Sequence, residues 1–310
     1  MLSYLTMIIG SFMYISETVI LKKFKHISLV NKLFIICLSA MIPSLLVTYK
    51  YKNFDFMSLF TNKNRLLVGL LMTIFFISAY NGYKILPTSY SVPLFMTTPL
   101  LMMIFDGIIE NSKLNIKQLL CGLFSFIGVL IVSFEKVNID KSLLKTGIIS
   151  MIVGIVTYSL AYTLQKYTPE RTFLKGDSEK EDRDKKKPII ERVHLNLLNI
   201  FTLPFIVLGL LSLVDKRYFP STYRGKTPTM KEFITLILVF LLLNYGHNVA
   251  FFYSYNNLPI SIYGALENTN VIASLVIGSF FLNEKITIRK IIGCLVIITG
   301  IIGNIKYKNE

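Results

Sequence analysis

The sequence contains no tryptophan, three cysteines, three histidines and only 16% charged residues. Cys37, Cys121 and Cys294 stand far apart, each inside an apolar stretch. Neither a disulfide framework nor thiolate metal-ligand spacing can be built from them, and they read as small buried residues. There is no Walker A loop, His-Glu-x-x-His pair, Gly-x-Ser-x-Gly elbow or Cys-x-x-Cys pair. An enzyme, a cofactor or a metal centre is therefore not expected. The first apolar run has no basic residue before it and no small-residue cleavage site after it, so it is expected to be a membrane helix, not a cleaved signal. Without tryptophan, any interfacial belt falls to the 17 Tyr and 23 Phe.

What the chain does have is apolar length. Hydrophobic residues make up 53% of its 310 positions, and the mean hydropathy is +0.57. They gather in ten runs: 2–21, 29–48, 66–84, 88–109, 116–134, 146–166, 194–214, 233–254, 259–281 and 287–305. About 20 apolar residues span a bilayer core as a helix, so the runs predict an all-α, multi-pass integral membrane protein with ten transmembrane helices. The net charge of +15 could signal nucleic-acid binding. Here the basic residues sit in short loops, as at Lys22, Lys23 and Lys25 or from Lys285 to Lys290, with no aromatic-interleaved patch. That placement predicts contact with anionic lipid headgroups and no nucleic-acid partner.

The longest polar interval, 168–193, holds the mixed-charge stretch from Gly176 to Lys187 and separates the sixth and seventh runs. It has little to bury and is expected to be a solvated linker. Replacing 175–187 with a short Gly/Ser linker should leave expression and thermal stability nearly unchanged. A large loss of either would show that the segment docks on the helices. A second polar interval, 215–232, separates the seventh and eighth runs.

Laying 86–129 over 258–301, an offset of 172, aligns Leu86-Pro87 with Leu258-Pro259, Thr97 with Thr269, Lys113 with Lys285 and Gly128 with Gly300. The match joins the fourth and fifth runs to the ninth and tenth, which predicts a five-helix unit repeated as 1–140 and 141–310. An odd number of spans per unit turns the second copy upside down in the bilayer. Inverted repeats of that kind belong to alternating-access carriers, whose site lies near the midplane between the halves.

The stretch from Leu258 to Ile302, with Phe281-Leu282-Asn283-Glu284-Lys285, Gly293 and Gly300, resembles the EamA-like repeat of the drug/metabolite transporter superfamily. Pro87 to Val132 is similar in weaker form, with Ser112 where the family usually carries Glu. The resemblance implies a ten-helix secondary carrier of a small organic solute, with cytosolic termini and a cytosolic central linker. Gly264-Ala265-Leu266-Glu267-Asn268 is also similar to the Gly-Ala-Leu-Asn-Lys motif of GDP-mannose transporters, which would imply a nucleotide-sugar or phosphate-ester exchanger. The basic residue of that motif is missing here, and a carboxylate would repel a diphosphate. A non-transporting membrane scaffold is the alternative of another class. The partners expected are a small solute, a proton and the bilayer, for a monomer or homodimer.

A charge inside a span needs a reason. Glu267 lies on the ninth run with Tyr263, Asn270, Ser274 and Gly278 on one helical face, next to Asn268. The equivalent stripe in the first copy is Ser91, Phe95, Thr98, Met102 and Asp106. Asn244, His247 and Asn248 share a face of the eighth run, Tyr158, Tyr162 and Gln165 one of the sixth, and Asn196 and Asn199 lie on the seventh. All are candidates for a solute or ion path, or for interhelical hydrogen bonds. Glu17, in the first run, resembles the acidic residue of small multidrug resistance proteins; it also reads as a partner for Lys22 or Lys23. Lys84 and Asp106 lie near enough to run ends to reach the interface. Pro93 and Pro99 are expected to bend the fourth span.

Overall fold

A backbone in hydrocarbon must satisfy its own N–H and C=O groups, and a helix does so within one segment. The computed structural model describes residues 2–24, 26–50, 57–86, 91, 94–110, 115–133, 140–167, 189–214, 225–282 and 286–307. Its helices are α1 (Leu2–Lys23), α2 (Leu29–Lys50), α3 (Lys63–Ile85), α4 (Thr98–Glu110), α5 (Ile116–Ser133), α6 (Lys141–Tyr167), α7 (Ile189–Leu213), α8 (Met230–Asn257), α9 (Ile260–Glu267), α10 (Thr269–Leu282) and α11 (Ile288–Lys306), with a single turn at Ser58–Thr61. Among the described residues the only β contact is an isolated parallel bridge between Ile27 and Lys226.

Polarity is inverted relative to a water-soluble protein. Leu46, Leu238, Leu242 and Phe280 are exposed on the outer surface, while Glu17, Glu267, Asn244 and Asn304 are buried. Only a lipid solvent makes that arrangement favourable, because polar side chains there turn to the bundle interior. Among the described residues, seven stretches are long and apolar enough to cross a bilayer: α2, α3, α6, α7, α8, α11 and the α9–α10 segment Ile260–Ile277. α4 and α5 are shorter apolar helices. The protein is an all-helical, multi-pass integral membrane protein.

Caps, more than hydropathy, set the helix ends. Asn62 accepts from the backbone N–H groups of Asn64 and Arg65 at 3.0 and 3.2 Å and starts α3. Thr229 and Glu232 form a capping box at the start of α8. Helices therefore overrun the apolar runs. α7 begins at Ile189, not 194, so the last five residues assigned to the linker form a helical turn in which Glu191 and Val193 are buried. The rest of that linker, 168–188, lies outside the described residues, as do Pro93, Ser112 and the Asn283-Glu284-Lys285 motif. Asn62→Ala should cost about 1 kcal/mol, read as a lower unfolding temperature. An unchanged temperature would mean that lipid and packing alone set the α3 end.

The expected ninth helix is not continuous. Its ladder tightens at Asn268, whose N–H reaches the Ala265 and Leu266 carbonyls, and α10 restarts at Thr269. The Thr269 hydroxyl donates to the Leu266 carbonyl at 2.7 Å. The position 172 residues earlier behaves alike: a turn covers Met96 and Thr97, and the Thr97 hydroxyl donates to the Leu94 carbonyl at 2.6 Å. Side-chain hydroxyls competing for helix carbonyls supply the local cause. Pro99 sits in the first turn of α4, where its missing N–H costs nothing.

α3 packs on α6 as α8 packs on α1; α2 pairs with α7, α4 with α9, and α5 with α11. Along the α5–α11 seam, Asn115 donates to the Tyr307 carbonyl, Gln118 to that of Asn304, and Ser125 to that of Ile297, at 3.0, 3.3 and 3.0 Å. Partner numbers fall as α5 numbers rise, so the two helices are antiparallel. Their backbones touch where residues are small. A Cβ on Gly128 would lie 2.7 Å from the Gly293 carbonyl oxygen, and one on Gly300 would lie 2.7 Å from that of Cys121. Gly300 and Cys121 are the positions 172 residues from Gly128 and Gly293.

Candidate functional site

Between the helix pairs lies a cavity lined from both halves of the chain. α1 contributes Tyr14 and Glu17, and α3 contributes Met72, Phe75, Phe76 and Tyr80. Ile36, Phe95 and Phe201 close its sides. α6 supplies Tyr158 and Tyr162; α8 supplies Asn244, His247, Asn248 and Phe251. Glu267 ends α9 and Asn270 lies in the first turn of α10, so the break at Asn268 sits at the cavity wall. The space open to the centres of water molecules is about 60 Å³. One water needs roughly 10–15 Å³ by that measure, so the cavity as it stands suits only a few waters or a small group.

The Tyr158 hydroxyl donates to Glu267 Oε1 at 3.1 Å. Glu267 Oε2 has no hydrogen-bond partner among the described residues. Across the cavity, Asn248 Nδ2 lies 3.0 Å from His247 Nε2. The same amide nitrogen reaches the Asn244 carbonyl at 2.8 Å and Asn244 Oδ1 at 3.0 Å, so its two protons are shared among three acceptors. His247 Nδ1 lies 3.0 Å from the Leu243 carbonyl. Glu17 Oε2 is 3.1 Å from the same Nδ1 but receives no aligned hydrogen bond. Both carboxyls are almost wholly shielded, at 1% exposure for Glu17 and 3% for Glu267. Each thus presents one bare acceptor oxygen, which is costly unless something fills it.

Aromatic rings form the rest of the wall. Phe75 and Tyr158 are 4.8 Å apart between centroids, Phe95 and Tyr158 5.5 Å, and Tyr158 and Tyr162 4.3 Å. The Tyr14 and Phe251 rings flank His247 edge-on at 5.3 and 5.4 Å. Asn244 is committed elsewhere, donating to the Ile36 carbonyl and to Ser39 Oγ, both at 2.8 Å, and so ties α8 to α2.

Of the residues singled out in the sequence, Glu17, Phe95, Tyr158, Tyr162, Asn244, His247, Asn248, Glu267 and Asn270 come together on this cavity, and Ser91, Met102 and Asp106 do not. Tyr263, Asn268, Thr98 and Ser274 do not line it either. Tyr263 is fully buried behind Tyr162, and Asn268 forms the break. The Thr98 hydroxyl donates to the Phe95 carbonyl, and that of Ser274 to the Val271 carbonyl at 2.7 Å. The straight stripe from Tyr263 to Ser274 fails because the helix on which it was drawn turns at Asn268. Gln165, Asn196 and Asn199 form a separate chain, with Gln165 donating to Asn196 and Asn199 donating to Gln165, and this joins α6 to α7. The α3 aromatics and Tyr14 carry no charge and pass in sequence as lipid-facing. Tyr14 alone had a signal, three residues before Glu17 on the same face.

The sequence pattern of the EamA-like transporter family matches residues 1–134 and 189–305. No curated protein matches the chain. A solved structure titled only "Crystal structure of protein" superposes with a TM-score of 0.67 at 12% identity, covering 97% of this chain and 94% of its own, a likeness of fold alone.

Proposed function

Because the chain belongs to the EamA-like transporter family, we propose that it is a secondary carrier that moves a small organic solute by alternating access around this cavity. The observation that carries the proposal is a cavity lined from both halves of a membrane bundle, with two buried carboxyls, Glu17 and Glu267, on its wall. A scaffold has no use for such a site, since each unfilled acceptor costs stability.

The moving parts in this reading are two inverted five-helix units within ten spans. The antiparallel α5–α11 seam and its exchanged contacts at an offset of 172 favour a twofold axis across the helices. Rocking about that seam would open the cavity first to one face and then to the other. The breaks at Met96–Thr97 and Asn268 occupy equivalent positions beside the cavity, where a bend costs little. Glu267 and Glu17 exchange a proton or a cationic group as the cavity changes sides, with Tyr158 and His247 holding the carboxyls in place. A phosphate-ester cargo is disfavoured, because no Lys or Arg lines the cavity among the described residues.

The test is counterflow. Proteoliposomes preloaded with unlabelled solute from a metabolite panel should accelerate saturable entry of the labelled solute. Absence of stimulation by every member, with protein that is folded and correctly inserted, would sink the carrier reading.

A further inference from the structure

We infer that the solute held in this cavity is a small organic cation, an amine or quaternary ammonium, bound by Glu17 and Glu267 and by aromatic faces. The inference rests on the carrier reading and adds the chemical class of its cargo. Buried carboxyls in apolar surroundings demand neutralisation, and a bare acceptor oxygen demands a donor or a positive charge. Within the cavity the unsatisfied atoms are Glu17 Oε2, Glu267 Oε2 and Asn270 Oδ1, all acceptors. No Lys or Arg side chain lines it among the described residues, so a carboxylate or phosphate group would find no fixed positive charge there. His247 Nδ1 stands 3.1 Å from Glu17 Oε2 and pairs with it as a charge only when the ring is protonated, while Glu267 has no such neighbour among the described residues.

The walls argue for an organic ion over an inorganic one. Phe75, Phe95 and Tyr158 form a cluster with centroids 4.8 to 6.2 Å apart beside Glu267. Faces of that kind attract alkylammonium groups through the ring quadrupole, more strongly once water is excluded. A bare metal ion would want several oxygen ligands in a tight shell, and no group of three or more His, Cys, Asp or Glu is close enough to supply one among the described residues. The small volume limits the charged head to a few heavy atoms in this conformation.

The probes are choline, tetramethylammonium, the uncharged choline isostere 3,3-dimethyl-1-butanol, and sodium. Thermal unfolding of the purified wild type should rise with choline or tetramethylammonium in a saturable way, and stay flat with the isostere and with sodium. Glu17→Gln and Glu267→Gln should each weaken the apparent affinity tenfold or more, and Phe95→Leu severalfold. Tyr158→Phe keeps the ring and should lose less than Glu267→Gln. The inference is overturned if the isostere stabilises as well as choline, if only sodium stabilises, or if no probe shifts the folded wild type. It is equally overturned if Glu17→Gln/Glu267→Gln, folded as judged by its own unfolding curve, binds choline like the wild type. Choline binding without choline counterflow would uphold the cation site and count against the carrier. Counterflow of anionic or neutral solutes without any cation binding would uphold the carrier and defeat the inference.

Discussion

Glu267→Gln should give a folded protein that no longer couples uptake to a proton gradient and whose uptake at limiting solute falls roughly 10- to 100-fold. That range is what losing a charged hydrogen bond of about 1.5–3 kcal/mol represents. The substitution keeps the shape of the side chain and an oxygen to accept from the Tyr158 hydroxyl, now at 3.1 Å. Packing around α9 should therefore survive, and what is removed is the group proposed to trade a proton or cation at the cavity wall. Initial uptake rates in proteoliposomes, measured with and without an imposed pH difference, separate the two effects. The groups facing Glu267 across the cavity are Glu17 and His247 from α1 and α8, with Tyr14, Tyr80, Tyr158 and Tyr162 around them. A Glu267→Gln protein with wild-type rate and pH profile would remove this residue from the mechanism and leave Glu17 and His247 as the titratable candidates.

The second large effect is steric. A Cβ on Gly293 would lie 2.5 Å from Val132 Cγ2, 2.8 Å from the Gly128 carbonyl oxygen and 3.0 Å from the Val132 nitrogen. Two of those atoms are backbone and cannot rotate away. Gly293→Ala should force α11 off α5 and cost about 1–3 kcal/mol, with Gly293→Val costing more. The seam joins the two proposed units, so loss of transport should accompany the lower unfolding temperature. Gly209 is the control. A Cβ there would meet only the Phe34 ring, at 3.2 and 3.6 Å, and a ring edge can give way. Should Gly293→Ala unfold at the wild-type temperature while Gly209→Ala does not, the close approach of α5 and α11 would be wrong.

How far the sequence went can be judged from particular residues. The apolar runs gave the membrane class and nearly every helix, because lipid leaves an apolar segment one way to satisfy its backbone. The same rule selected Glu17, Glu267 and His247, since a titratable group in a span has to face the interior. Pairing 86–129 with 258–301 aligned Thr97 with Thr269, without revealing that the ladder tightens there. That tightening depends on hydroxyl groups competing for particular carbonyls, and hydropathy is blind to it.

The composition of the cavity was decided by tertiary packing alone. His247 stands 230 residues from Glu17 in the chain and 3.1 Å from it in space. Phe75, Phe76 and Tyr80 read as ordinary membrane aromatics until α3 lies against α6 and α7. A helix advertises which of its residues are polar, but lipid and protein interior are equally apolar solvents. An aromatic side chain therefore carries no mark of the side it will face, and only the lateral packing of the helices chooses.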